Sequence, residues 1–393
     1  MPIKKIIIDK AHRLYQLPPA INSFSPKSKK SNLLKKTNLI DLATFNWQIK
    51  MEIDKDLSEK SFLPASPQRI AQLQEELANW FLTFHGVKLN PYKEIYIGAN
   101  ISRMLLNLSL AYIDKGDIAF VPELGIPLYK TATAISGGQP VEYEISERTN
   151  WQPDFNKLNS RLGYVARILF LNNPHNPTGV ELSSKDFENL IWVASRENIL
   201  IVVDAAYQAF SGRKNSSLLS VKNGKVVGIE LYSFAYQFGL PSLPFGFAVG
   251  NKEIINGLNT LSKINKPFIY DFCIERALKA VRSFPNEEIK SLRNNFSQKK
   301  SYLTELQELL SLEKSGFDTI PFVWTKIKKR SRSVNAANIL YRRSKILVTP
   351  GKALGDCGEG FLRFSLTSPV ESYKSACDRV QKKLKFLKLD KEE

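Results

Sequence analysis

Between residues 67 and 84 the apolar side chains Ile70, Leu73, Leu77, Trp80, Phe81 and Phe84 recur at the spacing of one helix face, and Gly86 follows as a stop. Short apolar runs then alternate with helical patterns. The runs fall at 94–97, 118–121, 168–171, 199–203 and 226–232, and the helical stretches at 101–113, 127–136, 183–196 and 253–262. Strands alternating with helices predict an α/β fold with a mainly parallel sheet covered on both faces. Beyond residue 267 the texture changes. A long helical pattern over 286–311 precedes strand-like pieces at 319–327, 346–349 and 360–366, which predicts a smaller α+β domain. The expected division is an N-terminal arm and start of the small domain over 1–45, a large α/β domain over 46–266 and the small domain over 267–393. Within the arm, residues 18–40 are rich in Pro, Ser, Asn and Lys, a composition that predicts loop.

A chain of 393 residues with 43% hydrophobic content can bury a large core. The first 17 residues hold only the short run Ile6-Ile7-Ile8 followed by Asp9 and Lys10, so neither a signal peptide nor a membrane span is expected and the cytoplasm is the default location. Cys273, Cys357 and Cys377 are odd in number and far apart, and with only three histidines no metal site can be assembled from spacing. A net charge of +18 suggests a polyanion partner, but the lysines gather at 27–36, 326–332 and 382–391 without any nucleic-acid-binding pattern. Solvated lysine-rich faces are the expectation, with neither nucleic acid nor membrane as partner.

Residues able to do chemistry stand at strand ends. Asn172-Asn173-Pro174-His175-Asn176-Pro177-Thr178-Gly179 follows one run, Asp204-Ala205-Ala206-Tyr207 ends the next, and Ser233-Phe234-Ala235-Tyr236 follows another. Ligands of open α/β sheets bind outside the carboxyl ends of strands, so the placement is self-consistent. These segments resemble the class I/II aminotransferases of the fold-type I pyridoxal phosphate superfamily, in which N-P-T-G, D-x-A-Y and S-x-x-K occur in this order. Further likenesses are Gly98-Ala99-Asn100 for a phosphate-binding turn, Gly116-Asp117, the stretch from Pro122 to Tyr129, and Val348-Thr349-Pro350-Gly351 through Gly360 to Leu366. The likeness runs from about residue 40 to the end and is closest to the LL-diaminopimelate, alanine and aspartate aminotransferase branch.

The resemblance implies a seven-stranded-type large domain with a small α+β domain, and pyridoxal phosphate as cofactor. It implies that Asp204 holds the ring nitrogen protonated, that Asn176 and Tyr207 donate to the ring oxygen, and that Ser233 with Gly98, Ala99 and Asn100 holds the phosphate. Arg363 falls where the family grips the substrate carboxylate, a planar two-oxygen task suited to guanidinium. A buried salt bridge is the alternative for Arg363.

One position departs from the pattern at its centre. Tyr236 occupies the place of the lysine that forms the Schiff base, and a phenol can neither form an imine nor serve as the amine base. Around it, Pro244 replaces a phosphate-gripping arginine in Ser242-Leu243-Pro244-Phe245-Gly246, and Ile126 replaces a ring that stacks on the cofactor. Thr44-Phe45-Asn46-Trp47 is bulky where the family is small, and Pro64 and Arg69 fall near positions held by a tyrosine and a glycine. The expectation is therefore a catalytically degenerate homologue that binds no cofactor covalently. It would act as a binding or partner subunit, as a homodimer or a heterodimer with an active aminotransferase, with a small anionic or amino-acid ligand in the pocket. The alternative is an active enzyme, using pyridoxal phosphate with another lysine such as Lys263 or Lys266, or pyridoxamine phosphate with another base.

Overall fold

The structure is a computed structural model describing residues 39–44, 63–155, 158, 165–211, 217–240, 243, 245–264, 267–285, 287–328 and 332–383. The lysine cluster at 27–36, and Phe45, Asn46, Trp47, Ser242, Pro244 and Lys266, lie outside the described residues.

Strand β1 (Ile40–Asp41) precedes helix α1 (Pro67–His85). The helix begins where Ser66 accepts the Arg69 amide and Pro67 fills the first turn, and it ends at Gly86, whose φ of 68° is left-handed. The large domain continues through β2 (Ile95–Ala99), α2 (Ile101–Tyr112), β3 (Ile118–Pro122), α3 (Leu128–Ile135), β4 (Gln139–Tyr143), β5 (Ala166–Asn172), α4 (Ser184–Glu197) and β6 (Leu200–Asp204). Then come β7 (Gly228–Ser233), the single turn α5 (Phe234–Gln237), β8 (Phe245–Gly250) and α6 (Lys252–Ser262). These seven strands form one sheet in the order β2-β8-β7-β6-β5-β3-β4. Only β8 runs antiparallel to its neighbours; every other pairing is parallel.

Successive strand residues face opposite sides, so the sheet feeds two cores. Leu169, Leu171, Ile201 and Val203 pack with Leu77, Trp80 and Phe81 of α1 on one side. Phe170, Val202 and Leu231 pack with Met104 and Leu108 of α2 on the other, in a core that runs on into the small domain.

Helix α7 (Asp271–Arg282) packs on α1 in the first of these cores, and the small domain holds α8 (Glu287–Leu309), β9 (Leu312–Ser315), β10 (Phe322–Ile327), α9 (Ser333–Ile339), β11 (Ile346–Leu347), β12 (Thr349–Pro350), β13 (Phe361–Ser365) and α10 (Val370–Lys383). Its antiparallel sheet has the order β12-β13-β10-β9, and β1 pairs in parallel with β11 in a separate two-stranded sheet. Among the described residues no helix is long and apolar enough to cross a membrane.

The mainly parallel sheet is as the apolar runs predict, but some strands escape that pattern. At the sheet edge β4 exposes Gln139 and Glu142, so it carries no apolar run. In β8, Phe-Gly-Phe-Ala-Val-Gly, glycines interrupt the run, and pairing to β2 and β7 on its two sides makes the strand. The segment expected as a strand from residue 226 begins with a helical turn, Gly224–Val227, before β7.

The two domains meet where the loop after β5 touches the β9–β10 connection. Phe317 donates its amide to the Thr178 carbonyl at 2.7 Å, and Thr319 donates its hydroxyl to the Gly179 carbonyl. Gly179 has φ 72°, and a Cβ there would lie 2.4 Å from the Phe317 carbonyl oxygen. Gly179→Ala therefore forces both a left-handed backbone and a clash, and is expected to lower stability by roughly 2–3 kcal/mol in urea denaturation. An unchanged midpoint would mean that the seam opens without cost.

Candidate functional site

The carboxyl ends of the large-domain strands bring the predicted residues to one rim. Asn172 is the register partner of Asp204 across β5 and β6. Ser233 and Gly98 both pair with Gly246, one from each side, so two segments 135 positions apart lie with one residue between them. The Asn172 side chain pins the loop that follows it, donating to the Asp204 carbonyl at 2.9 Å and accepting the Asn176 amide at 2.7 Å.

Asp204 is buried at the end of β6, and among the described residues no cation is its partner. Tyr129 on α3 donates its hydroxyl to one carboxylate oxygen at 2.8 Å, and the Ala206 amide donates to the other at 3.1 Å. Burial pushes this carboxyl up to about 6, while both hydrogen bonds act in the opposite direction.

Arg363, on β13 of the small domain, is only 8% exposed. It donates from Nη1 to the Asn176 side-chain oxygen at 3.0 Å, and from Nη2 to the Ala43 carbonyl at 3.3 Å and the Thr349 hydroxyl at 3.2 Å. Among the described residues it has no carboxylate partner. Three of its five N–H groups are thus engaged, and Nε is buried without a partner. Burial lowers the guanidinium to about 10.

Asn176 also donates its amide nitrogen to the Tyr207 hydroxyl at 3.4 Å, a long bond. The Tyr207 ring stacks on Tyr236, with centroids 5.4 Å apart and planes at 28°, and meets Phe322 edge-on at 5.7 Å. Burial is the main cause that raises both phenols; Asp204 raises them further and Arg363 lowers them. They therefore share the fields of two buried ions of opposite sign. Tyr236 is half-buried on the same core face as the half-buried Ile126. With its raised pKa the Tyr236 phenol stays neutral near pH 7, which suits it to hydrogen bonding and stacking and not to proton abstraction.

On the phosphate side the residues are less committed. Ser233 is buried at the start of α5 and makes no capping bond, whereas the Asn100 side chain is engaged in capping α2 through the Arg103 amide at 3.0 Å. Thr44 is turned to Asp41, Pro64 forms a bridge with Tyr270, and Arg69 pairs with Asp271 at 3.0 Å. Lys263 is exposed at the end of α6. Among the described residues the buried lysine is Lys299 on α8, lowered by burial, which donates to the Leu366 carbonyl at 3.0 Å.

Sequence reasoning gave no role to Tyr129, Phe322, Thr349 or Ala43. Tyr129 lies within the Pro122–Tyr129 stretch and Thr349 within Val348-Thr349-Pro350-Gly351, so their sequence patterns carry a signal; Phe322 and Ala43 approach the site only through folding. The cysteines are free: the Cys357 thiol donates to the Ile145 carbonyl and the Cys377 thiol to the Tyr302 carbonyl, and burial pushes both up to about 12. Among the described residues no three His, Cys, Asp or Glu side chains are grouped to hold a metal.

The family model described as aminotransferase class I and II matches residues 37–380. LL-diaminopimelate aminotransferase of Halothermothrix orenii is 29% identical over 337 residues, covering 84% of this chain and 85% of that protein. Transaminase BacF of Bacillus subtilis is 29% identical over 318 residues, covering 79% and 78%. Among solved structures, substrate-bound BacF from Bacillus subtilis superposes with a TM-score of 0.86 at 25% identity, covering 96% of this chain and 98% of that one. Aspartate aminotransferase from Thermotoga maritima has a TM-score of 0.82 at 18% identity, covering 96% and 100%, a likeness of fold.

The buried, cation-free carboxylate sets a stability test. A carboxyl raised on folding contributes fully only below its unfolded value, near ~3.9, and that contribution is lost as pH rises to about 6. Asp204→Asn is expected to stabilise the protein at pH 7.5 by roughly 2 kcal/mol, with the gain shrinking toward pH 5. Urea denaturation across that range measures it. A loss of stability at pH 7.5 would show that the Asp204 charge is compensated.

Proposed function

Since the chain belongs to the class I and II aminotransferase family, we propose that its pocket handles an α-amino acid or the matching 2-oxo acid, gripped by the carboxylate at Arg363. The observation that carries this reading is the buried guanidinium itself, which has N–H donors left over and no anion among the described residues. Burying an unpaired charge is costly, and a ligand carboxylate would relieve that cost.

Family membership implies pyridoxal phosphate, and much of the donor set fits it. Asp204 would face the ring nitrogen, Asn176 and Tyr207 the ring oxygen, and Ser233 with the α2 turn the phosphate. When bound, that group supplies an electron sink for bonds to the amino acid's α-carbon. The residue that does not fit is Tyr236, which cannot link the group to the chain.

Two readings follow. Every relative named above is a transaminase, which favours turnover with an amine or base other than residue 236. Tyr236 favours a chain that binds its ligand without turnover and serves as a binding or partner subunit. In either case we propose a dimer, of two such chains or with an active aminotransferase. Leu63, Phe268 and Tyr270 form an exposed apolar group beside α1 that suits burial by a second subunit.

With pyridoxal phosphate and borohydride, the protein is expected to show no stoichiometric label on a single lysine, and no exchange of amino groups between amino acids and 2-oxo acids. One labelled lysine together with turnover establishes the enzyme reading. Arg363→Ala is expected to weaken binding of a 2-oxo acid by about 2 kcal/mol in calorimetry. No binding by the parent protein would sink the shared proposal. Sedimentation as a monomer at micromolar concentration, with no partner recovered, would remove the dimer.

A further inference from the structure

Phe322 lies directly under the group that grips the carboxylate. The Arg363 guanidinium carbon is 4.2 Å from the centre of its ring, and Phe322 is 2% exposed. The same ring meets Tyr207 edge-on at 5.7 Å. Asn176 completes a loop of contacts, accepting from Arg363 at 3.0 Å and donating to Tyr207 at 3.4 Å. Arg363 and Phe322 come from the small-domain strands β13 and β10, Asn176 and Tyr207 from the loops after β5 and β6. The loop of four residues therefore crosses the domain seam.

We infer that Phe322 is a positioning residue for carboxylate recognition, fixing the plane of the Arg363 guanidinium and its distance from Tyr207. This inference rests on the proposal that Arg363 grips a carboxylate. Hydrogen bonds from Nη1 and Nη2 hold the guanidinium at its edge, and edge contacts alone leave it free to tilt about their axis. An aromatic face beneath removes that tilt, because a cation is attracted to the face of a ring while the ring's edge is electropositive. The face turned to Arg363 and the near-perpendicular packing on Tyr207 are met by one orientation of one ring, so carboxylate grip and ring site are set together. An aliphatic side chain of similar volume would fill the space without supplying that orientation.

The test uses the full chain with pyruvate, 2-oxoglutarate and phenylpyruvate as probes, read by calorimetry, and thermal denaturation as the measure of folding. Phe322→Leu is expected to melt within a few degrees of the parent and to bind the preferred acid about tenfold more weakly. Phe322→Tyr, which keeps the ring face, is expected to bind within about twofold of the parent. Leu binding as tightly as Phe, or Tyr failing to restore what Leu loses, overturns the inference. Should Phe322→Leu melt far below the parent, Phe322→Met and Phe322→Tyr carry the comparison, Met losing affinity and Tyr keeping it. If the parent binds an acid and Arg363→Ala abolishes binding while Phe322→Leu does not, the positioning role fails and the functional reading stands. If the parent binds none of the three acids, the functional reading itself fails.

Discussion

Two buried ions of opposite sign that do not touch each other govern this site. Asp204 is surrounded by hydroxyl and amide donors and Arg363 by neutral acceptors and a ring, so each is solvated by dipoles and neither is neutralised by a partner among the described residues. The raised carboxyl and the lowered guanidinium are the same desolvation cost seen from its two sides. Such an arrangement persists only where the surrounding fold holds it, and a ligand bearing the complementary charges would remove the cost. Functional sites are commonly built this way.

The surrounding fold holds it with pieces taken from the whole chain. Asp204 is fixed by the central strand β6, and Asn176 by a loop locked to that strand through Asn172. Arg363 arrives on a different sheet, braced by Thr349 of β12 and by the carbonyl of Ala43 just after β1. The short parallel pairing of β1 with β11 thus matters more than its length suggests, since it brings a carbonyl from the start of the chain to the guanidinium. The close approach at Gly179 and Phe317 ties the Asn176 loop to the small domain that carries Arg363.

Tyr236 belongs to this packing. A lysine at that position would bring a third charge into the fields of Asp204 and Arg363. The phenol is neutral there, and its ring stacks on Tyr207.

The sequence by itself determined the fold class and the family, because strand and helix periodicity and short loop patterns at strand ends are local features of the chain. It also set the expectation that Tyr236 stands in a lysine's place, and it singled out Asp204, Asn176, Tyr207 and Arg363 as residues to follow, since these sit within recognisable patterns. It missed β4 and β8, where exposure at the edge and glycines broke the apolar run and partner strands made the structure. Only the tertiary structure decided that Arg363 has no carboxylate partner among the described residues, that Tyr129 holds Asp204, and that Phe322 lies under the guanidinium. Those facts depend on contacts between residues 75 or more positions apart, or between strands of one sheet whose pairing the linear pattern does not specify. Local chemistry is written along the chain, whereas the pairing of charges is set by which distant segments fold against each other.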